Sequence, residues 1–122
     1  MYPNHAQRAD VQSFARIYPE GVSLVTPGRP SLKSVSIQNR DNKTIYFWHG
    51  RMPGGTTGQG AYLPVDPAQW TAQEKRDAAS MMLVYGEAIA AGQTYEPRVA
   101  QTSALYSYVT VGTAVAHVKA GN

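Results

Sequence analysis

The stretch SLKSVSIQNRDNKTIYFWHGR, residues 31–51, decides how the fold is read. Leu32–Gln38 and Lys43–His49 are rich in β-branched and aromatic residues, which suit a pleated, half-buried surface. Asn39-Arg40-Asp41-Asn42 separates them. If Asn39 opposes Lys43, the loop is Arg40-Asp41-Asn42. Three-residue loops use a type I turn followed by a left-handed residue, a conformation that asparagine tolerates. In that register Ile37 faces Ile45 and Val35 faces Phe47, all on one side. A loop shorter or longer by one residue would set Ser34 against Phe47 and put apolar side chains on both faces. The pattern therefore predicts a hairpin with a core face and an outer face. The outer face carries Ser34, Ser36, Gln38, Thr44, Tyr46 and Trp48.

Working outward, residues 5–18 fit a helical stripe (Val11, Phe14, Tyr18) and an alternation (Val11, Ala15, Ile17) equally. Gly21–Thr26 reads as a strand ended by Pro27-Gly28. Residues 50–61 are a Gly/Thr loop, and Tyr62–Val65 is at most an edge strand because of Pro64. Thr71–Ala91 is predicted as a helix. Thr71 supplies the N-cap, Glu74 completes a capping box, and Gly92 is the expected stop. Ala78, Met81, Met82, Tyr85, Ala88 and Ile89 fall on one face at 3.6 spacing. Leu83, Val84 and Ala90 widen that sector, so the helix is expected to be covered on more than one side. The Met/Tyr stripe is read as core filling. Gly86 inside the helix costs about 1 kcal/mol relative to alanine unless something packs closely there. Residues 104–118 are β-rich, with Gly112 as a bend.

Composition bounds the rest. The chain has 122 residues, 43% hydrophobic and 16% charged, which fits one globular domain. No run approaches the ~18 apolar residues that span a bilayer. Met1-Tyr2-Pro3-Asn4-His5 lacks the layout of a secretory signal. There is no cysteine, hence no disulfide frame, Cys-ligated metal or thiol nucleophile. His5, His49 and His117 are too few and too scattered for a multi-His metal site. Net charge is +3, unevenly placed: residues 1–51 hold seven basic and three acidic side chains, and residues 52–122 hold four and five. A basic half points to a polyanion-facing surface or simply to a solvated one.

The predicted outer face of the hairpin has hydroxyls, an amide and two aromatics, bordered by Arg29, Lys33, Arg40, Lys43 and Arg51. Single-stranded nucleic acid is bound this way, with cations on phosphates and rings stacked on bases. The alternative for Tyr46 and Trp48 is packing beneath the helix or in a subunit contact.

Residues 31–51 resemble the central hairpin of coat proteins from small single-stranded RNA bacteriophages. In that family a Ser/Val strand ending near Gln, a short Asn/Arg/Lys turn and a Tyr-containing strand form the RNA-facing sheet. Loop 52–60 falls where the family has its flexible loop. GAYLPVDPAQW (60–70) resembles the segment that leaves it, and WTAQEKRDAASMML (70–83) the start of the family's long helix. The family has a further strand between loop and helix and ends in helices. This chain ends in a β-rich segment, which fits a permuted order in which the first strand comes last. The resemblance implies an α+β fold, an antiparallel β-sheet with one long α-helix packed across it, and a dimer that shares the sheet with RNA on the other face. It implies a self-assembling capsid subunit found in the virion and the host cytoplasm. By position the RNA-facing residues are Ser36, Gln38, Lys43, Thr44, Tyr46 and Trp48, joined by Lys33 and Arg40. No cofactor, metal or small-molecule substrate is implied.

Enzyme readings are weaker. WHG at 48–50 and GQGAY at 58–62 have the look of ADP-ribosyl transferase pieces, but the interval between them is too short. GGTTGQG lacks the Gly-Lys-Ser/Thr of a phosphate loop. A metal held by Asp66, Glu74 and Asp77 would need all three on one side; Glu74 and Asp77, three apart on a helix, could converge, but acids in a first helical turn commonly serve the helix dipole. A small basic ribonuclease or toxin would use His49 and His117 as acid and base, which requires them to converge on one atom. An accessory phage or plasmid protein that inhibits a protein partner is a third class.

Overall fold

The computed structural model describes residues 11–27, 34–54, 62–97 and 104–121. The strands are β1 (Val11–Tyr18), β2 (Gly21–Thr26), β3 (Ser34–Asn39), β4 (Ile45–His49), β5 (Glu87–Ile89), β6 (Thr94–Tyr95), β7 (Leu105–Val109) and β8 (Ala114–Gly121). A 3-10 turn at Pro67–Gln69 and the helix α1 (Ala72–Tyr85) lie between β4 and β5. The strands form two four-stranded sheets, β1-β8-β3-β6 (sheet A) and β2-β7-β4-β5 (sheet B), and every pairing is antiparallel. The architecture is mostly antiparallel β with one helix, as the sequence led us to expect in outline.

The pairings have a simple origin. β1 pairs with β8, β2 with β7, β3 with β6 and β4 with β5. The chain is thus one long ribbon, doubled back between β4 and β5 and then rolled. This is the wiring of an eight-stranded jelly roll. Apart from β4 and β5, which pair with each other in sheet B, each strand lies in the opposite sheet from its predecessor, so the connections between them cross from one sheet to the other.

That wiring corrects the predicted hairpin. β3 and β4 do not pair; β3 lies in sheet A and β4 in sheet B. The alternation was nonetheless read correctly. Val35, Ile37, Ile45 and Phe47 are all buried, and they meet across the gap between the sheets. Tyr18, Leu105, Val109, Ala114, Ala116 and Val118 complete this core. Tyr18 stands edge-on to Phe47, which stacks on Tyr95 with centroids 4.8 Å apart. The single sheet implied by the phage resemblance is therefore replaced by two sheets face to face.

The corner between β3 and β4 is built on Asn39, which is fully buried. Its Nδ2 donates to the carbonyls of Lys43 (2.6 Å) and Ile89 (2.8 Å), and its Oδ1 accepts from the Asp41 N–H (2.8 Å). Its own N–H donates to Gln93 O, and its carbonyl accepts from Gly92 N. One side chain thus ties both sheets together where the chain changes sheet. The β7–β8 corner turns at Gly112, whose φ of +69° is costly for other residues.

Helix α1 starts as read, with Thr71 and Glu74 forming both bonds of the capping box. It ends earlier, at Tyr85. A Cβ on Gly86 would lie 2.5 Å from Met82 O and 3.1 Å from Phe47 O. The glycine is therefore the point where the chain passes close to α1 and β4 before becoming β5. Ile89, predicted on the helix face, is instead a buried strand residue. The helix packs on the outer face of sheet B, against β2 and β4. Met52, Leu63, Trp70, Ala78, Met82, Ala104 and Tyr106 form a second core there. Leu83, Val84 and Tyr85 remain exposed, contrary to the expectation of a helix covered on several sides. No described helix is long and apolar enough to cross a membrane.

Candidate nucleic-acid interface

The two sheets have different outer faces. Sheet B is covered by α1 and the 3-10 turn. Among the described residues nothing packs over the outer face of sheet A, and strand alternation and register fix what it shows. Ala114, Ala116 and Val118 of β8 point into the core, so Val115, His117 and Lys119 point out. The register sets Lys119 between Ser13 and Ser36, His117 between Ala15 and Gln38, and Val115 beside Ile17. Thr94 extends the middle row beyond Gln38. The face thus grades from an apolar end at Ile17 and Val115 to a polar, cationic end at Lys119.

Its hydrogen bonds hold the polar groups in place. Ser13 Oγ lies 2.6 Å from His117 Nε2. Gln38 Nε2 donates to Gly92 O, and Gln38 Oε1 accepts from Arg40 Nε (2.6 Å). That bond ties the Arg40 side chain to Gln38 at the end of β3. Lys119 is exposed. No carboxylate occupies an outward strand position of this face among the residues described. Asp41, just past β3, is spent: its Oδ2 accepts from Val115 N and its Oδ1 from Lys43 N. The Val115 N–H, and after it the Lys43 N–H and charge, hold the Asp41 carboxyl below the usual carboxylate range against an opposing desolvation effect.

The eight candidates separate accordingly. Ser36, Gln38 and Arg40 belong to the open face. Lys33 lies outside the described residues. Lys43 is at the corner, with Nζ donating to Thr113 O at 2.7 Å and standing 3.5 Å from Asp41. Thr44 is in the same corner and half-buried. Tyr46 and Trp48 sit on the outer face of sheet B, on the opposite side of the molecule. Tyr46 leans on Tyr108, with centroids 6.0 Å apart. Trp48 packs against the second core beneath α1 and its Nε1 points at Arg51 O. The continuous face expected to join Ser36 and Gln38 to these two rings is therefore not formed, because β3 and β4 are back to back rather than side by side.

Ser13, His117 and Lys119 were not among the candidates. The signal for them was present in AVAHVK, 114–119, where small apolar residues alternate with His and Lys. It becomes meaningful only once β8 is placed between β1 and β3.

His49 and His117 do not converge. His117 points out from sheet A, whereas His49 lines a groove of about 450 Å³ between the sheets, with Glu87, Tyr95 and Glu96. Burial, and after it the charge of Glu87, pushes the Tyr95 hydroxyl up to about 12. The two carboxylates make that groove unfit for phosphate. No group of three or more His, Asp or Glu side chains capable of holding a metal ion occurs among the described residues.

No family model and no curated protein matches the chain. A solved structure of Bacillus endospore appendages, described as a novel family of disulfide-linked pili, matches with a TM-score of 0.42. The identity is 8%, over 90% of this chain and 83% of that one. A likeness that distant carries no weight for either fold or function.

Proposed function

We propose that this chain is a self-assembling, capsid-like structural subunit that binds RNA on the outer face of sheet A. The observation that supports this most directly is a sheet face that, among the described residues, is uncovered and bears Lys119 and Arg40, with Ser13, Ser36, Gln38 and His117 between them and no acid on its strand positions. Cations attract the phosphates by an interaction that salt weakens. The hydroxyls, the amide and the imidazole supply hydrogen bonds to phosphate, 2′-OH or base edges. The jelly roll also serves lectins and cupins as well as capsids, so the fold alone does not select the function. The selection rests on the charge and chemistry of this face. Subunits sharing their sheets, and then assembling further, would present many such faces to one RNA.

The test is binding of a single-stranded RNA as a function of salt. Lys119→Ala and Arg40→Ala should each weaken binding and flatten the salt dependence by about one ion. Lys75→Ala, on exposed α1 at the opposite side, should change neither. Absence of binding at low salt, or equal effects at Lys119 and Lys75, overturns the reading.

A further inference from the structure

We propose that the edge of β1, which no described strand pairs with, pairs with β1 of a second copy of this chain, antiparallel about a two-fold axis. Two copies of sheet A then become one eight-stranded sheet. This rests on the reading that the subunit self-assembles, and it names the junction.

A free sheet edge offers a row of unpaired N–H and C=O groups, and natural sheets guard such edges with shortness, bulges, charges or proline. Sheets A and B have four edges, and three of them are guarded. β5 has three residues and β6 has two. β2 breaks its register between Leu24 and Thr26. At that break Arg16 donates to Val25 O (3.0 Å) and Leu24 O (3.4 Å), so the bulged carbonyls are occupied. β1 is different. Its eight residues pair with β8 without a register break, and its sequence, VQSFARIY, has no proline, glycine or acid. Its one charge, Arg16, is turned toward β2 and lies 5.1 Å from the Tyr18 ring. Phe14 and Ile17 beside the edge are 41% and 63% exposed.

The edge selects a copy of itself on charge and symmetry. A two-fold axis uses the same residues on both partners and closes without further subunits. The outward side chains Ser13, Ala15 and Ile17 are uncharged, so self-pairing brings no like charges together. Outward residues of the two copies share a face only if odd positions oppose odd ones. With the two-fold through Ala15, residues 12–18 pair, seven residues at about 3.4 Å each for a seam of roughly 24 Å. The two β8 strands would then lie three spacings apart, about 14 Å. His117 and Lys119 and the partner's Lys119 would line one continuous face, so the polyanion site is only half present in a single subunit.

The experiment is sedimentation of the full chain, free of RNA, at concentrations up to about 100 μM, where an interface of this modest size should form. A dimer is expected. Ala15→Lys places two lysines against each other across the two-fold and should weaken dimerisation by at least about tenfold. Ile17→Lys, opposite the partner's Ser13 in this register, exchanges an exposed apolar side chain of the seam for a charge and should also weaken the dimer. Ala15 and Ile17 are exposed in the subunit, so far-UV circular dichroism should be unchanged. A monomeric unmodified chain overturns the proposal, as does a dimer that both lysine variants leave intact. Because RNA is absent from this assay, failure of RNA binding leaves the proposal standing, and an RNA-binding monomer would overturn the proposal alone.

Discussion

Replacing Asn39 by alanine should be among the most damaging single changes to this fold. The side chain is buried and makes three hydrogen bonds, to Lys43 O, Ile89 O and the Asp41 N–H. Each bond contributes about 1–1.5 kcal/mol net, and the groups left behind cannot all reach water. A loss of about 3–4 kcal/mol follows, against a total of roughly 5–15 kcal/mol for a domain. With an unfolding entropy of about 2.1 cal/mol/K per residue, a chain of this length should melt roughly 12–15 °C lower. The backbone bonds of residue 39 to Gln93 and Gly92 survive in the variant, so the loss isolates the side chain. Asn42, exposed three residues later in the same corner, is the control, and Asn42→Ala should shift stability by no more than about 0.5 kcal/mol. Urea unfolding followed by tryptophan fluorescence measures both. A cost below about 1 kcal/mol for Asn39→Ala would refute the account of this corner as the tie between the sheets.

Two further outcomes carry a definite sign. Gly86→Ala should destabilise by about 1–3 kcal/mol because the new methyl meets two backbone carbonyls; helix propensity alone predicts a gain of about 1 kcal/mol, so the direction of the melting shift decides between them. Burial pushes the Tyr18 hydroxyl up to about 12 from its ordinary 10.0, with Arg16 opposing. The folded chain thus holds that proton more tightly than the unfolded one, so the contribution is intact below pH 10 and is lost as pH rises through 12. Tyr18→Phe removes a buried hydroxyl that has no partner among the described residues, and urea midpoints for this variant should fall less steeply over that interval.

The inward and outward assignment of side chains was legible in the sequence, but the pairing was not. Placing Ile37 with Ile45 and Val35 with Phe47 satisfied the rule that apolar residues share a face. Two strands looking at each other across a core satisfy that rule as well as two strands lying side by side. Nothing within 31–51 distinguishes the cases, because the partners that settle it, β8 for β3 and β7 for β4, lie far along the chain. The same ambiguity explains the candidate site. Ser36, Gln38 and Arg40 stay together because they share β3 and its corner, and Tyr46 and Trp48 were joined to them only through the supposed hairpin. The helix start was legible because a capping box is local. Its end was not, because Gly86 stops the helix through a close approach to Phe47, a strand residue almost forty positions earlier.

The doubled and rolled ribbon has a kinetic consequence. Its outermost rung joins Val11 to Gly121, so closing it requires ordering nearly the whole chain first. Contacts of such long sequence separation slow folding, and β-rich domains dominated by them take milliseconds to seconds. β1 is therefore expected to dock late, leaving a nascent chain for that interval with β8 lacking one neighbour. Encounters between chains at that stage would set a race between correct closure and exchange of β1 with a neighbouring molecule.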